Sequence, residues 1–152
     1  MFKKFKSFFI RKHFEPVAHP IEATGNIDSY LDIDEWKQQV IRYGGWNSFD
    51  FGKSLGSIGS EQGIIILDLE SNKGARITVE KDSQIAPFSI TFGIYDLMLH
   101  TYFCSNSEEA GSYLKRTVSL IDKILLLYDI PEVQREANWN QAYNNLMGKL
   151  IE

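Results

Sequence analysis

The sequence predicts an α+β fold, in which an antiparallel meander of four or five strands is packed by helices. Residues 63–105 carry short runs rich in β-branched and aromatic residues, separated by turn residues, and this pattern is typical of successive strands. After residue 105 the apolar residues recur at helical spacing over two segments. The 152 residues are enough for one domain with a substantial core, so we expect a single domain over residues 1–152.

Four strands are predicted within residues 63–105. Short turns separate them, including a tight corner near Tyr95 and Asp96, so consecutive strands should pair as antiparallel hairpins. Because apolar and polar residues alternate, one sheet face needs a cover of helices and the other faces solvent or a partner. A further short edge strand is predicted around Phe49 and Phe51, which alternate with polar residues. The four runs are residues 64–70, 75–80, 88–95 and 97–103.

A helix is predicted on the N-terminal side of the sheet, over residues 32–44. Asp32 is its expected N-cap, with Glu35 three residues later in capping-box spacing. Gly44 and Gly45 are expected to end it. We predict that this helix packs on the sheet together with the C-terminal helices.

An antiparallel helix pair is predicted over residues 106–151. Ser105 with Glu108, and Asn106 with Glu109, both have the spacing of a capping box, and they mark the start of the first helix. Pro131 ends that helix, and residues 129–132 open the second one. Both helices carry apolar seams, so we expect the pair to lie across the sheet.

The charge distribution excludes one class of partner and favours another. Residues 1–13 carry five basic and no acidic residues, which leaves 11 basic against 20 acidic residues in the rest of the chain. An acidic body argues against nucleic-acid binding, because phosphate affinity depends on clustered Lys and Arg. The same charge is compatible with a basic protein partner.

The N-terminal segment, residues 1–14, is basic and amphipathic, with Phe2, Phe5 and Phe9 at roughly helical spacing. It is interpreted as a helix docked on the domain, with a frayed arm and a peripheral membrane contact as the alternatives. No signal peptide or membrane-spanning run is evident, and a single cysteine, Cys104, suits a reducing compartment. We therefore expect a cytoplasmic protein.

Three carboxylates are the main candidates for chemistry. Asp68, Glu70 and Glu80 are predicted on neighbouring strands, where such groups can bind a divalent metal or act as general acid and base. With His100 they define an alternative interpretation as a small metal- or ligand-dependent enzyme. Lys81 directly follows Glu80 and so projects to the opposite face, which departs from the acid-x-Lys pattern of metal-dependent nucleases. Because no catalytic motif accompanies these residues, we predict a non-catalytic protein without metal or cofactor.

Acidic and aromatic residues are predicted together on or beside the sheet. Aromatic anchors within acidic surroundings are what a protein uses to bind a basic partner. We therefore predict a partner-binding surface here. Its residues are Trp46, Asp50, Asp68, Glu70, Glu80, Tyr95, Asp96 and Tyr102.

Residues 74–81, 87–95 and 98–101, which read GARITVEK, PFSITFGIY and MLHT, resemble small bacterial proteins associated with immunity proteins of toxin systems. Proteins of this type are single-domain, acidic and cytosolic, and they lack a catalytic motif. The resemblance implies that the chain binds and neutralises a cognate toxin domain. It carries no functional motif, so it assigns no site residue.

Overall fold

A computed structural model describes residues 45–152, which form a five-stranded antiparallel sheet and two α-helices. The first helix, α1, packs against the sheet, and the second, α2, packs against α1. The predicted α+β meander is thus confirmed, while segment 1–14 and the predicted helix 32–44 lie outside the described residues. The elements are β1 Trp46–Ser48, β2 Ile64–Ser71, β3 Ala75–Lys81, β4 Phe88–Ile94, β5 Met98–Cys104, α1 Ser107–Tyr128 and α2 Trp139–Ile151.

The strands follow one another in the sheet in sequence order, from β1 to β5, and every neighbouring pair is antiparallel. The predicted corner between β4 and β5 is present, because Asp96 adopts a left-handed φ of 65° and Leu97 donates to the Ile94 carbonyl at 3.0 Å. Asp tolerates this conformation better than most side chains, since its short polar side chain bonds locally.

The fifth strand differs from the prediction in position. It consists of Trp46–Ser48, while Phe49–Gly52 forms a 3₁₀ turn. Asp50 and Phe51 have positive φ values of 42° and 56°, which a strand does not allow. The alternation of Phe49 and Phe51 with polar residues therefore reflects a turn that leaves the sheet edge.

One face of the sheet, the helix face, forms the hydrophobic core with α1. Alternating strand residues project from this face and are fully or almost fully buried, as period-two alternation requires. They meet an apolar seam of α1 at helical spacing. The principal residues are Leu67, Leu69, Ile77, Val79, Ile90, Phe92 and Ile94 from the sheet and Leu114, Val118, Ile121 and Ile124 from α1.

The start of α1 is fixed by one of its two predicted caps, Asn106 with Glu109. The side chain of Asn106 accepts a hydrogen bond of 2.9 Å from the backbone N–H of Glu109. The carboxylate of Glu109 accepts in return from the backbone N–H and the hydroxyl of Ser105, both at 2.7 Å. The Asn106 bond satisfies a donor that the first helical turn leaves without an intrahelical partner, and the Glu109 bonds hold the residue that precedes the cap.

The predicted start of the second helix, at residues 129–132, is wrong. Residues Glu132–Gln134 form only a 3₁₀ turn, and α2 begins at Trp139. Arg135 is extended between them; it donates to the Ile130 carbonyl at 3.1 Å and lies 4.1 Å from the centre of the Trp139 ring. Trp139 donates its indole N–H to the Leu127 carbonyl at 2.8 Å. These contacts tie the connection to the end of α1, so helix formation resumes only at Trp139.

No helix within residues 45–152 is both long enough and apolar enough to cross a membrane. The longest, α1, interrupts its apolar positions with charged residues such as Lys115, Arg116, Asp122 and Lys123.

Candidate functional site

The face of the sheet opposite α1, the second face, carries the polar residues of the strands. Its rows follow from the register, which pairs Asp68 with Thr78, Thr78 with Thr91, and Thr91 with Thr101. The strand residues of this face are Asn47, Ile65, Asp68, Glu70, Arg76, Thr78, Glu80, Ser89, Thr91, Gly93, Leu99, Thr101 and Phe103.

An ion pair lies in the middle of the second face. The Asp68 carboxylate accepts from Nε and Nη2 of Arg76, at 2.9 and 2.7 Å, and from the Thr78 hydroxyl at 3.1 Å. The ring centre of Phe49 lies 3.4 Å from the guanidinium carbon of Arg76, a cation–π contact. Phe49 directly follows β1, so the end of this edge strand places the ring over the sheet. The Asp68 side chain is completely buried, so its charge is neutralised within the protein.

A second buried carboxylate anchors the glycine-rich loop that precedes β2. Glu80, which is 1 % exposed, accepts hydrogen bonds from the backbone N–H groups of Glu61 at 3.1 Å and Gly63 at 3.0 Å. Ser60 contributes its hydroxyl at 3.4 Å. The carboxylate thus satisfies loop amides that the sheet ladder does not reach. Its role is to hold the loop on the second face.

The second face also carries carboxylates that are not fully buried. The Glu70 carboxylate accepts a short hydrogen bond of 2.6 Å from the Tyr95 hydroxyl, and both residues are half-buried. Burial, and then this bond to Glu70, raise the pKa of Tyr95 above its ordinary value, so the phenol remains protonated as the donor. Asp96 follows Tyr95 in an exposed turn, and exposed Asp50 pairs with Lys53 at 3.7 Å. We call Asp50, Glu70, Tyr95 and Asp96 the acidic corner.

Four of the residues predicted to bind a partner do not lie on an accessible part of this surface. Trp46 is completely buried on the helix face and donates its indole N–H to Asp122 at 2.9 Å. Asp68 and Glu80 are both buried, and each carboxylate is held by hydrogen bonds, from β3 and from the loop respectively. Tyr102 projects from the helix face, where its ring stacks on Tyr113 at 3.8 Å between centroids. A partner on the second face therefore reaches only the other four, which are the acidic corner.

The catalytic alternative requires His100 to converge with the carboxylates, and the register places them apart. His100 pairs with Phe92 and projects from the helix face, with its ring 5.4 Å from that of Phe92. Asp68, Glu70 and Glu80 project from the second face, so the thickness of the sheet separates the two sets. Over residues 45–152, no group of three or more His, Cys, Asp or Glu side chains is arranged to hold a metal ion. The predicted catalytic arrangement is therefore not assembled.

The thiol of Cys104 is buried at the end of β5. Burial, and the negative charge of Glu109, raise its pKa to about 12. A thiol with so high a pKa is almost wholly protonated at neutral pH and is a poor nucleophile. Cys104 is a core residue, as its position at the end of an apolar strand indicates.

Sequence patterns alone missed the loop contacts that shape the site. The Phe49 ring over Arg76 and the amides of Glu61 and Gly63 at Glu80 join residues 17 to 27 positions apart. The sequence held one local signal, the glycines at positions 59 and 63. A Cβ at Gly59 would collide with the Glu80 carboxylate, and a Cβ at Gly63 would come within 2.7 Å of the Lys81 carbonyl. Glycines so spaced before a strand indicate close backbone approach.

Comparison of the chain with protein-family models, with curated proteins and with solved structures finds no match. Any function proposed for the chain accordingly rests on its sequence and on the geometry of its described residues.

Proposed function

We propose that this chain is a non-catalytic cytoplasmic protein of the immunity type, which binds a basic domain of a cognate toxin through the acidic corner. The proposal is supported most directly by the charges that the second face exposes. Its arginine, Arg76, pairs with buried Asp68, and Asp50 pairs with exposed Lys53, whereas Glu70 and Asp96 remain at the surface. A face with this imbalance attracts a positively charged protein and speeds its association.

The contacts around the acidic corner bring its members to one end of the sheet. Tyr95 reaches from the β4–β5 turn to Glu70 on β2, and Asp96 is the next residue in that turn. Phe49 stacks on Arg76, which pairs with Glu70 in the register, so Asp50 lies at the same end. Four residues from three separate segments thereby form one surface. Convergence of this kind favours a binding site over scattered solubilising charges.

The corner also offers rigid groups and apolar area. The short bond to Tyr95 fixes the Glu70 carboxylate, so less side-chain freedom is lost when a partner binds. Phe51, next to Asp50, is 58 % exposed, and an exposed aromatic ring in polar surroundings is a common anchor of protein interfaces. Both features support a protein partner rather than a small ion.

The test compares the full-length chain with a charge-reversed variant, Glu70→Lys with Asp96→Lys. Each is used as bait in a lysate of the native host, at low and at moderate salt, and bound protein is identified by mass spectrometry. We expect the wild type to retain one stoichiometric basic partner, more weakly at higher salt, and the variant to lose it. Co-expression should then relieve the growth inhibition that this partner causes alone.

The matched control is Glu136→Lys with Glu152→Lys, which makes the same change in net charge at two exposed residues outside the sheet. It should bind as the wild type does. Equal capture by the acidic-corner variant and this control would remove the acidic corner as the binding surface. A captured partner whose toxicity the chain does not relieve would refute the immunity role.

A further inference from the structure

The outer edge of β5 carries three residues whose backbone groups point away from the sheet. Asp82 donates its backbone N–H to the Pro87 carbonyl at 2.8 Å, and Tyr95 donates to the Gly74 carbonyl at 2.9 Å. Both bonds continue the β3–β4 register, and in each an even-numbered residue on the β3 side bonds an odd-numbered residue on the β4 side. The backbone N–H and C=O groups of the odd-numbered residues of β4 therefore point toward β3. The even-numbered residues of β4 therefore face β5.

The same alternation continues into β5. Its even-numbered residues pair with the even-numbered residues of β4, from Ile94 with Met98 to Phe88 with Cys104. Their N–H and C=O groups are used in that ladder. The odd-numbered residues, Leu99, Thr101 and Phe103, direct theirs outward, and β5 is the last strand of the sheet that residues 45–152 form.

Within residues 45–152, the β5 strand lacks the sequence features that keep sheet edges from pairing. Proteins usually protect an edge strand with charged residues, especially Lys, or with Pro. The sequence of β5, MLHTYFC, contains neither an acidic residue, nor Lys, Arg or Pro. Leu99 is moreover 77 % exposed, a large apolar side chain left in solvent beside an open row of hydrogen-bonding groups.

We propose that β5 pairs antiparallel with β5 of a second copy of this chain, with the two-fold axis passing through Thr101. In this register Thr101 faces Thr101 of the second copy, and Leu99 faces Phe103 of the second copy on both sides of the axis. All three outward residues then form hydrogen-bonded pairs, with about six backbone hydrogen bonds in total. An axis through Leu99 or Phe103 would leave part of the outward row unpaired.

The charges favour a second copy as the occupant of this edge. A two-fold axis brings identical residues together, so an edge with charged residues would meet its own charge, whereas β5 has no Asp, Glu, Lys or Arg to repel. The pairing also covers exposed Leu99 with an aromatic ring on the same face of the sheet. A basic partner has no opposite charge to meet in this strand, and it finds acidic residues at the acidic corner instead.

The first experiment measures the oligomeric state of the full-length chain by sedimentation from micromolar to millimolar concentration. We expect a wild-type dimer and a monomeric Leu99→Lys variant, because Lys at the edge opposes pairing. The control Ile85→Lys introduces the same charge at another exposed residue, in the turn before β4, and should remain dimeric. A monomeric wild type, or dimers of Leu99→Lys, would overturn the proposal.

The second experiment tests the register. Residues facing each other in a hydrogen-bonded antiparallel pair have Cα atoms about 5.5 Å apart, within reach of a disulfide. Thr101→Cys should thus cross-link two copies under mild oxidation. Leu99→Cys places its two thiols roughly 14 Å apart and should not. Wild-type protein controls for buried Cys104. Cross-linking of Leu99→Cys without Thr101→Cys would exclude the proposed axis.

Discussion

Asp68 and Arg76 form a two-pronged ion pair on the second face, with Oδ1 2.9 Å from Nε and Oδ2 2.7 Å from Nη2. The two residues are not opposite each other in the register, since Asp68 pairs with Thr78 and Arg76 with Glu70. The Arg76 side chain thus reaches diagonally from β3 to the buried carboxylate on β2, and Glu70 accepts a hydrogen bond from Tyr95 instead. This choice of partners gives the second face its negative surface.

Asp68→Asn should destabilise the protein by about 2–4 kcal/mol, because it removes one charge of a buried pair and leaves the other without compensation. The partial exposure of Arg76, 31 % of its side chain, lets the guanidinium turn toward water and keeps the cost below that of a fully buried pair. Urea denaturation followed by tryptophan fluorescence measures the change in the free energy of unfolding.

Asp96→Asn is the matched control, since it makes the same chemical change at an exposed turn residue with positive φ, a conformation that Asn tolerates. It should change stability by less than about 0.5 kcal/mol. Similar losses in both variants would show that the Asp68 contact contributes no specific stabilisation.

The sheet could be predicted from the sequence because its determinants are local. Alternation of apolar residues assigned β2 to β5, and the turn residues at Gly74 and Asp96 set the hairpins that fix their register. The cap of α1 was equally local, since Asn106 and Glu109 are three residues apart. Each of these features depends on neighbours within a few positions.

The site could be predicted only in part, because burial depends on residues far away in the chain. Period-two alternation placed Asp68, Glu70 and Glu80 on one face, but it contains no information on the loop that covers Glu80. Trp46 is buried against a partner, Asp122, that is 76 residues away. The sheet face of His100 was predictable from the sequence, because in a strand it shares a face with Tyr102 and Cys104, two and four residues later.

Gly59→Ala should detach the loop from Glu80, because the added methyl group would collide with the carboxylate that holds the loop amides. If the carboxylate moves, the N–H groups of Glu61 and Gly63 lose their acceptor, at an expected cost of about 2 kcal/mol. Hydrogen exchange should accelerate at these two amides and remain slow in β3 and β4.

Gly148→Ala is the contrasting variant. A Cβ at this position of α2 would have no atom within 4 Å, so Ala should stabilise the helix by about 0.5–1 kcal/mol. Unchanged exchange at Glu61 and Gly63 in Gly59→Ala would mean that Glu80 does not hold the loop.

Glu109→Gln should make the stability of the protein less dependent on pH in the acidic range. Hydrogen bonds from the side chain and then the backbone of Ser105 lower the pKa of Glu109 in the folded state. Below the ordinary pKa of the group, the unfolded chain therefore binds a proton more readily than the folded chain. The stabilisation by the Glu109 carboxylate is complete above that ordinary value and is lost as pH falls through the lowered, folded-state pKa.

The measurement is urea denaturation of wild type and Glu109→Gln at a series of pH values from neutral to acidic. The two should differ most at neutral pH and converge as Glu109 becomes protonated. Glu108→Gln is the control, because Glu108 lies in the same helical turn and experiences the same helix dipole. A pH-independent difference between wild type and Glu109→Gln would mean that the charge of Glu109 does not stabilise the cap, and only its shape would then matter.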